Sequence, residues 1–152
     1  MKLENNPKCE RIVSGNDSVV IRKYIAGVHG GRTLDVSGFE GTNIPAGFVI
    51  IKKEVDGNVV YQPMPVIPAV PAKPAQGETP AVAAQPAKYG TLPAGASYVG
   101  ILKSTIPVNE PAAAIMTAGV VNSALLPYPM TDILTAFKSA CPNIIFEQDE
   151  EA

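Results

Sequence analysis

The stretch PMPVIPAVPAKPAQGETPAVAAQPAKYGTLP, residues 63–93, holds more than half of the 15 prolines of the chain and separates two regions of strand-like sequence. Proline fixes φ near about −65° and lacks a backbone donor, which excludes this stretch from helices and central strands. Pro65, Pro68, Pro71 and Pro74 recur at every third residue, matching the three-residue turn of polyproline II. We predict a semi-rigid segment, up to about 90 Å long if fully extended, that becomes an irregular loop beyond Gly77.

Two roles remain open for this proline-rich stretch. Long loops are commonly tolerated surface insertions, which is the simpler interpretation. The alternative is an arm that lies on a neighbouring subunit. A ligand for an SH3-type domain is disfavoured, because no basic residue is suitably placed beside a clean PxxP motif.

The composition indicates one ordinary domain. The chain has 152 residues, of which 46% are hydrophobic and 17% charged, with a net charge of −2. That balance argues against a general nucleic-acid binder, whose phosphate contacts need accumulated Lys and Arg. We expect an N-terminal arm over residues 1–18, a single β-rich domain over 19–146 interrupted by a proline-rich insertion at 63–96, and an acidic tail over 147–152.

The N-terminus has no apolar signal-peptide core, and the longest apolar stretch, residues 112–121, is too short to span a bilayer. We therefore expect synthesis in a cytoplasm and no membrane partner. Two cysteines, Cys9 and Cys141, lie far apart in a chain without a secretion signal, which favours free thiols over a disulfide.

Apolar alternation and turn residues predict a series of short strands. The strongest signal is Asp56-Gly57-Asn58 between two β-branched runs, which predicts a hairpin of residues 48–55 and 59–62. Gly100 interrupts one strand and indicates a bulge or a close backbone approach. The remaining strands are predicted at residues 19–25, 33–36, 97–103, 113–116, 120–122 and 144–146, the last of them buried.

One helix is predicted near the C-terminus. Thr131 is a candidate N-cap, and the apolar residues repeat at helical spacing until Pro142 ends the helix at Cys141. The apolar positions are Ile133, Leu134, Phe137, Ala140 and Cys141. One helix among many short strands predicts a mainly β fold, a small β-barrel or sandwich, with a long Pro/Ala-rich insertion.

No motif in the chain assigns catalysis. His29, the only histidine, could serve as a base for Cys9 or Cys141, but nothing in the sequence brings these residues together. Gly27–Gly31 lacks the phosphate-loop pattern, and no His/Cys/Asp cluster has metal-ligand spacing. Asp132 could pair with Asp35 or Glu40 as two carboxylates, although a position at the start of a helix explains it better. We expect no catalytic, cofactor-binding or metal-binding residue.

Several pieces in one order carry a resemblance. The sequence contains GGRTLD at 30–35, IPAGFVI at 44–50, a hairpin ending in Tyr61, SYVGIL at 97–102, AGVVN at 118–122 and FKSACPNIIF at 137–146. In this order they resemble the head decoration and head fibre proteins of tailed bacteriophages. The resemblance covers roughly residues 30–146 and leaves out the proline-rich stretch.

The resemblance implies a non-enzymatic virion protein on the outer surface of the capsid. It would bind the major capsid protein, associate with its own copies as a homotrimer, and either stabilise the head or anchor a fibre. A different class is a host-surface or carbohydrate-binding module displayed on the virion, which the low aromatic content of 6% disfavours. A third class is a small Cys/His hydrolase, which would reveal itself by fast alkylation of an activated thiol.

Overall fold

The computed structural model describes residues 16–75 and 81–148. Two short α-helices are present in these ranges: α1 (Asp17–Val20) and α2 (Leu134–Ala140). The strands in chain order are β1 (Ile21–Gly27), β2 (Arg32–Thr33), β3 (Asn43–Ile44), β4 (Val49–Val55), β5 (Asn58–Pro63), β6 (Val66–Ile67), β7 (Lys88–Tyr89), β8 (Ala96–Leu102), β9 (Ile106–Pro107), β10 (Ala112–Ala113), β11 (Ile115–Asn122) and β12 (Ile144–Glu147). The described chain is mainly β, with several antiparallel sheets and little helix, as the sequence predicts.

The largest sheet of the described chain has the order β1-β11-β8-β4-β5, and β12 also pairs with β11. Strand β11 pairs with β8 through Ile115 and Met116, and then with β12 from Gly119 onward. The β11–β12 pair is parallel, whereas the other pairs of this sheet are antiparallel. Three two-stranded sheets, β2–β10, β3–β9 and β6–β7, accompany it in the described chain, together with three isolated bridges.

The core lies against β4, β8 and β11. Fully buried side chains come mainly from the start of β4, the end of β8, both ends of β11 and from α2: Phe48, Val49, Ile50, Ile51, Ile101, Leu102, Ile115, Met116, Val121 and Phe137. Burial of one such side chain contributes about 1.5–3 kcal/mol. Strands β4, β8 and β11 therefore contribute most of the buried apolar surface that stabilises the fold.

The predicted central hairpin is confirmed. Strands β4 and β5 pair from Val55 with Asn58 to Ile50 with Pro63, and Asp56 and Gly57 form the connection with φ of 52° and 78°. Two successive residues with positive φ are typical of the two-residue hairpin turn whose twist matches that of the two flanking strands. Gly100 also behaves as predicted, because the β4–β8 register shifts beside it and a Cβ there would overlap the carbonyl oxygen of Met116.

The first predicted strand begins two residues too early. Residues 17–20 form a helical turn, in which the N–H groups of Val19 and Val20 both donate to the carbonyl of Asn16. Val20 is buried, while the side chain of Asp17 bonds to Thr105. These tertiary contacts override the apolar alternation, so that β1 begins at Ile21.

The strands before the C-terminal helix are also corrected. The structure has one strand, β11, where the sequence indicates a break at Ala118-Gly119, and β10 is a separate short strand. Gly119 does not end the strand, because its missing side chain lets the backbone of β1 approach: a Cβ there would overlap the carbonyl oxygen of Lys23.

The C-terminal helix is shorter than predicted. A turn in which the N–H of Ile133 donates to Met130 buries both side chains and delays the helix, so Thr131 does not cap it. The helix ends at Ala140 with Cys141 as C-cap, in agreement with the stop at Pro142. The final strand is buried on one face only: Ile144 is buried and Ile145 exposed, because successive side chains of a strand point to opposite faces of the sheet.

Candidate interaction surfaces

The proline-rich stretch folds back on itself as an antiparallel hairpin. Val66 pairs with Tyr89 and Ile67 with Lys88, and the same register continues through Val70 with Gln85 and Lys73 with Val82. Val70 and Gln85 exchange both backbone hydrogen bonds at 2.9 Å, as do Lys73 and Val82. Bridges therefore recur at every third residue, while the polyproline II conformation itself stays a prediction. Val82 and Gln85 are paired where the sequence predicts an irregular loop. Residues 76–80 lie outside the described chain.

The repeat of this ladder differs from that of an ordinary sheet. Hydrogen-bonded pairs recur every two residues in an antiparallel sheet, but here they recur every three. The reason is visible in the sequence as X-Pro-Ala triplets, in which proline has no N–H and the residue before it supplies the pairing groups. The triplets are 67–69, 70–72, 73–75, 79–81 and 85–87, with Val82-Ala83-Ala84 as a variant. We call residues 67–75 and 81–87 the triplet hairpin.

The base of the triplet hairpin is anchored in the core. Met64 and Tyr89 are both almost completely buried, and the hydroxyl of Tyr89 accepts a hydrogen bond from the N–H of Val49 at 3.1 Å. Burial raises the pKa of the Tyr89 phenol well above its ordinary value, so this group stays protonated. The ring of Tyr89 also meets the rings of Phe48 and Tyr128 edge to face, with centroids 5.5 and 5.4 Å apart.

A second contact holds the returning strand. The ammonium of Lys88 lies 2.6 Å from a carboxylate oxygen of Asp132, which precedes α2. Both side chains are about half exposed, so this ion pair contributes little to the stability of the protein. Its main effect is to fix the direction of the returning strand. Asp132 is therefore held by a cation, and it does not line the cleft that contains Asp35 and Glu40.

Beyond its base the triplet hairpin contributes no buried side chain to its own described chain. Every residue from Ile67 to Ala75 and from Ala81 to Pro86 is exposed. Three large apolar side chains are among them: Ile67, Val70 and Val82, with exposures of 47%, 38% and 40%. An ordered segment whose side chains all face solvent is a candidate contact surface.

Strand β1 is a second candidate surface. It pairs on one side with β11, and the described residues place no strand on its other side. Its five central residues are exposed, including Tyr24 and Ile25. Three register shifts interrupt the pairing, and the ammonium of Lys103 lies 4.3 Å from the centre of the Tyr24 ring. Bulges and nearby cations are devices that keep an exposed edge from pairing indiscriminately.

A cleft of about 570 Å³ opens beside the base of the triplet hairpin. Its polar lining comes from Asp35, Glu40 and Gln62, and its aromatic lining from Phe39 and Tyr128. Asp35 accepts a hydrogen bond from the N–H of Ser37, and its hydrogen bonds to Ser37 hold the pKa of this carboxyl below its ordinary value. The cleft thus combines apolar walls with a few oxygen acceptors.

Asp35 and Glu40 line this cleft, whereas His29 and Cys141, the candidate base and nucleophile, do not. His29 is exposed in the turn after β1, and its carbonyl oxygen accepts a hydrogen bond from the guanidinium of Arg32. Cys141 is buried at the end of α2, where burial raises the pKa of its thiol to about 11. A thiol with that pKa is protonated at neutral pH, which is the opposite of an activated nucleophile. Cys9 lies outside the described residues.

Within residues 16–75 and 81–148, no three His, Cys, Asp or Glu side chains lie close enough together to hold a metal ion. No helix in the same ranges is long and apolar enough to cross a membrane. Comparisons of the chain with protein-family models, with curated proteins and with solved structures give no match.

Sequence reasoning misses the cleft and the pairing within the proline-rich stretch. The cleft is formed by residues 35–40, residues 62–69 and Tyr128, and no local sequence pattern predicts contacts between residues so far apart in the chain. The hairpin did have a signal: X-Pro-Ala triplets on both sides of Gly77 place a pairing residue at every third position of each arm.

Proposed function

We propose that this chain is a structural virion protein that binds the outer surface of a tailed-phage capsid. In this role it contacts the major capsid protein, associates with its own copies as a homotrimer, and either decorates and stabilises the head or anchors a head fibre. The proposal includes the finer fold of a small β-barrel or sandwich carrying the proline-rich segment as an insertion. The resemblance over residues 30–146 supplies the class of protein.

The observation that carries the proposal is the triplet hairpin. Its base is fixed in the core by Met64 and Tyr89, whereas its outer part contributes no buried side chain to its own subunit. Ordering a residue costs about 1–2 kcal/mol of backbone entropy, which here is offset by few contacts within the subunit. A rigid, exposed arm of this kind suits a protein whose purpose is contact with other subunits.

Strand β1 adds a second contact in the same proposal. An exposed edge strand can accept a strand from a coat protein, with backbone hydrogen bonds giving affinity and side chains such as Tyr24 and Ile25 giving specificity. The two surfaces together would let one subunit touch both the shell and its neighbours.

Co-sedimentation tests the proposal. The purified chain is mixed with assembled heads that lack it and, separately, with unassembled coat protein. We expect it to pellet with assembled heads only. Failure of the wild-type chain to bind heads would overturn the capsid role.

A triple variant examines the contribution of the hairpin. I67D/V70D/V82D places charges on three exposed apolar positions of the arm, and we expect it to weaken head binding about tenfold or more. V55D/V59D is the control, because it places charges on apolar residues that are also exposed, at the tip of the β4–β5 hairpin. Equal effects of the two variants on head binding would show that the triplet hairpin does not contribute to the capsid contact.

The cleft favours one other candidate, a host-surface or carbohydrate-binding module displayed on the virion. Phe39 and Tyr128 offer rings for a sugar face, and Asp35, Glu40 and Gln62 offer hydrogen-bond acceptors. Glycan titration followed by the chemical shifts of these residues would support this candidate. It would be set aside if the shifts stayed unchanged while the chain bound heads.

A further inference from the structure

The triplet hairpin has a second set of pairing groups on each strand. In polyproline II successive residues point in directions about 120° apart, and every third residue points the same way. The first residue of each triplet directs both its N–H and its C=O at the opposite strand, as the bonds of Val70 and Lys73 show. The same screw symmetry directs the N–H and C=O of each alanine together along another edge.

These alanine groups are unpaired within the described chain. The N–H groups of Ala69, Ala72, Ala84 and Ala87 have no backbone partner there. Proline, the middle residue of every triplet except Val82-Ala83-Ala84, offers a carbonyl but no donor, so only the edge formed by the third residues can repeat the two-bond exchange along both strands. A methyl side chain at this position also lets another backbone approach closely.

The spacing of the hydrogen-bonded pairs determines which kind of strand can pair with the alanine edge. Hydrogen-bonded pairs recur about 9 Å apart along the triplet hairpin, at three residues of ~3.1 Å each. Hydrogen-bonded pairs in an ordinary antiparallel strand recur about 7 Å apart, at two residues of ~3.4 Å each. An ordinary β-strand could therefore form only one hydrogen-bonded pair with this edge before the two spacings no longer match. A strand that pairs along the whole edge must have the same three-residue period.

A second copy of this chain has that period. No other part of the sequence has three X-Pro-Ala triplets in succession, so a single copy cannot fill its own free edges. The hairpin itself demonstrates that two strands of this composition pair in the antiparallel direction. Association of identical segments also requires no charge complementarity, and Lys73, the one charged residue of the triplet hairpin, occupies the first position of a triplet and not the alanine position.

We propose that copies of this chain associate edge to edge through the alanine positions of their triplet hairpins, extending the three-residue ladder from one subunit to the next. Pairing of identical edges gives a two-fold dimer, and pairing of the two different edges of a hairpin gives a ring such as a trimer. The inference identifies the surface of self-association, and it does not rest on the capsid role because purified chain alone tests it.

The test is sedimentation-velocity analysis of the full chain over a range of concentrations, without capsids. The variant A72P/A84P removes one outward donor from each strand, keeps the polyproline conformation, and leaves the donors of Val70, Lys73, Val82 and Gln85 intact. We expect the dissociation constant for self-association to rise about tenfold or more. The control A72S/A84S retains both N–H groups and a small side chain, and we expect it to associate like the wild type.

Three results would overturn the inference: a wild-type chain that stays monomeric at high concentration, A72P/A84P that associates as tightly as the wild type, or A72S/A84S that fails in the same way as A72P/A84P. Backbone amide shifts of Val70 and Val82 in each variant verify that the hairpin itself persists. A failure of head binding with intact self-association would count against the capsid role alone.

Discussion

The hydroxyl of Tyr89 accepts a hydrogen bond from the backbone N–H of Val49 at 3.1 Å, and this bond joins the base of the triplet hairpin to the first residue of β4. Val49 is completely buried, so water cannot replace the phenol. The bond explains how a proline-rich segment with few contacts of its own can leave the core in a fixed direction.

Replacement of Tyr89 by Phe should destabilise the protein although it keeps the ring. The buried N–H of Val49 would lose its acceptor, which costs about 1–3 kcal/mol in the free energy of unfolding. Urea denaturation measures the change. Tyr128→Phe is the matched control, since it alters a neighbouring ring in the same cluster, and we expect its effect to stay below about 0.5 kcal/mol. Equal effects of the two changes would contradict the role assigned to the Tyr89 hydroxyl.

Gly100→Ala should be among the most destabilising small substitutions. The new Cβ would overlap the carbonyl oxygen of Met116, and the backbones of β8 and β11 would have to separate. We expect a loss of about 2–3 kcal/mol or more, measured by thermal or urea unfolding. Gly38→Ala provides the control, because a Cβ there meets nothing within 4 Å. A tolerated Gly100→Ala would show that the two strands lie farther apart.

The stability of the protein should fall between about pH 9 and pH 11 partly because of Cys141. Burial raises the pKa of this thiol from its ordinary value of 9.0 to about 11. The unfolded chain therefore releases the proton first, and unfolding becomes easier by about 1.4 kcal/mol per pH unit for this group. Urea unfolding from pH 8 to pH 11 should give a steeper decline for the wild type than for Cys141→Ala. Parallel curves would contradict the raised pKa, as would rapid alkylation of Cys141 in the native protein at neutral pH.

Amide exchange should alternate along the triplet hairpin with a period of three. The N–H groups of Val70, Lys73, Val82 and Gln85 are paired and should exchange more slowly than those of Ala72 and Ala84 in dilute protein. Val82→Pro removes one of these donors, and we expect exchange at Lys73 to accelerate by up to about tenfold. Hydrogen exchange followed by NMR measures both effects. Uniform exchange along residues 67–75 would show that the ladder does not form.

Local patterns in the sequence are sufficient for the elements that local chemistry determines. The β4–β5 hairpin follows from Asp56-Gly57, and the helix stop follows from Pro142, because each depends on residues adjacent in the chain. The mainly β class follows from the number of short apolar runs.

Elements that depend on distant contacts were misplaced. The carboxylate of Asp17 accepts hydrogen bonds from the N–H and hydroxyl of Thr105, 88 residues away, and this contact favours a helical turn where alternation indicates a strand. The sequence indicates a break between two strands at Gly119, whereas this residue accommodates the backbone of β1. Neither effect can be predicted without knowing which strands are neighbours.

The candidate surfaces were only partly predictable. The three-residue spacing of proline indicates the conformation of each strand of the triplet hairpin, but the register between Val70 and Gln85 requires both strands at once. The cleft beside Tyr128 and the exposure of β1 depend on the order of strands in the sheet. Patterns of single elements contain no information about that order.

The central claim, that this chain is a capsid-surface protein, is tested most directly by electron cryo-microscopy of heads prepared with and without it. We expect added density on the outer surface of the shell, at a fixed number of copies per lattice position, with the triplet hairpin of one subunit against another. Heads that look the same in both preparations, or added density only inside the shell or at the tail, would contradict it.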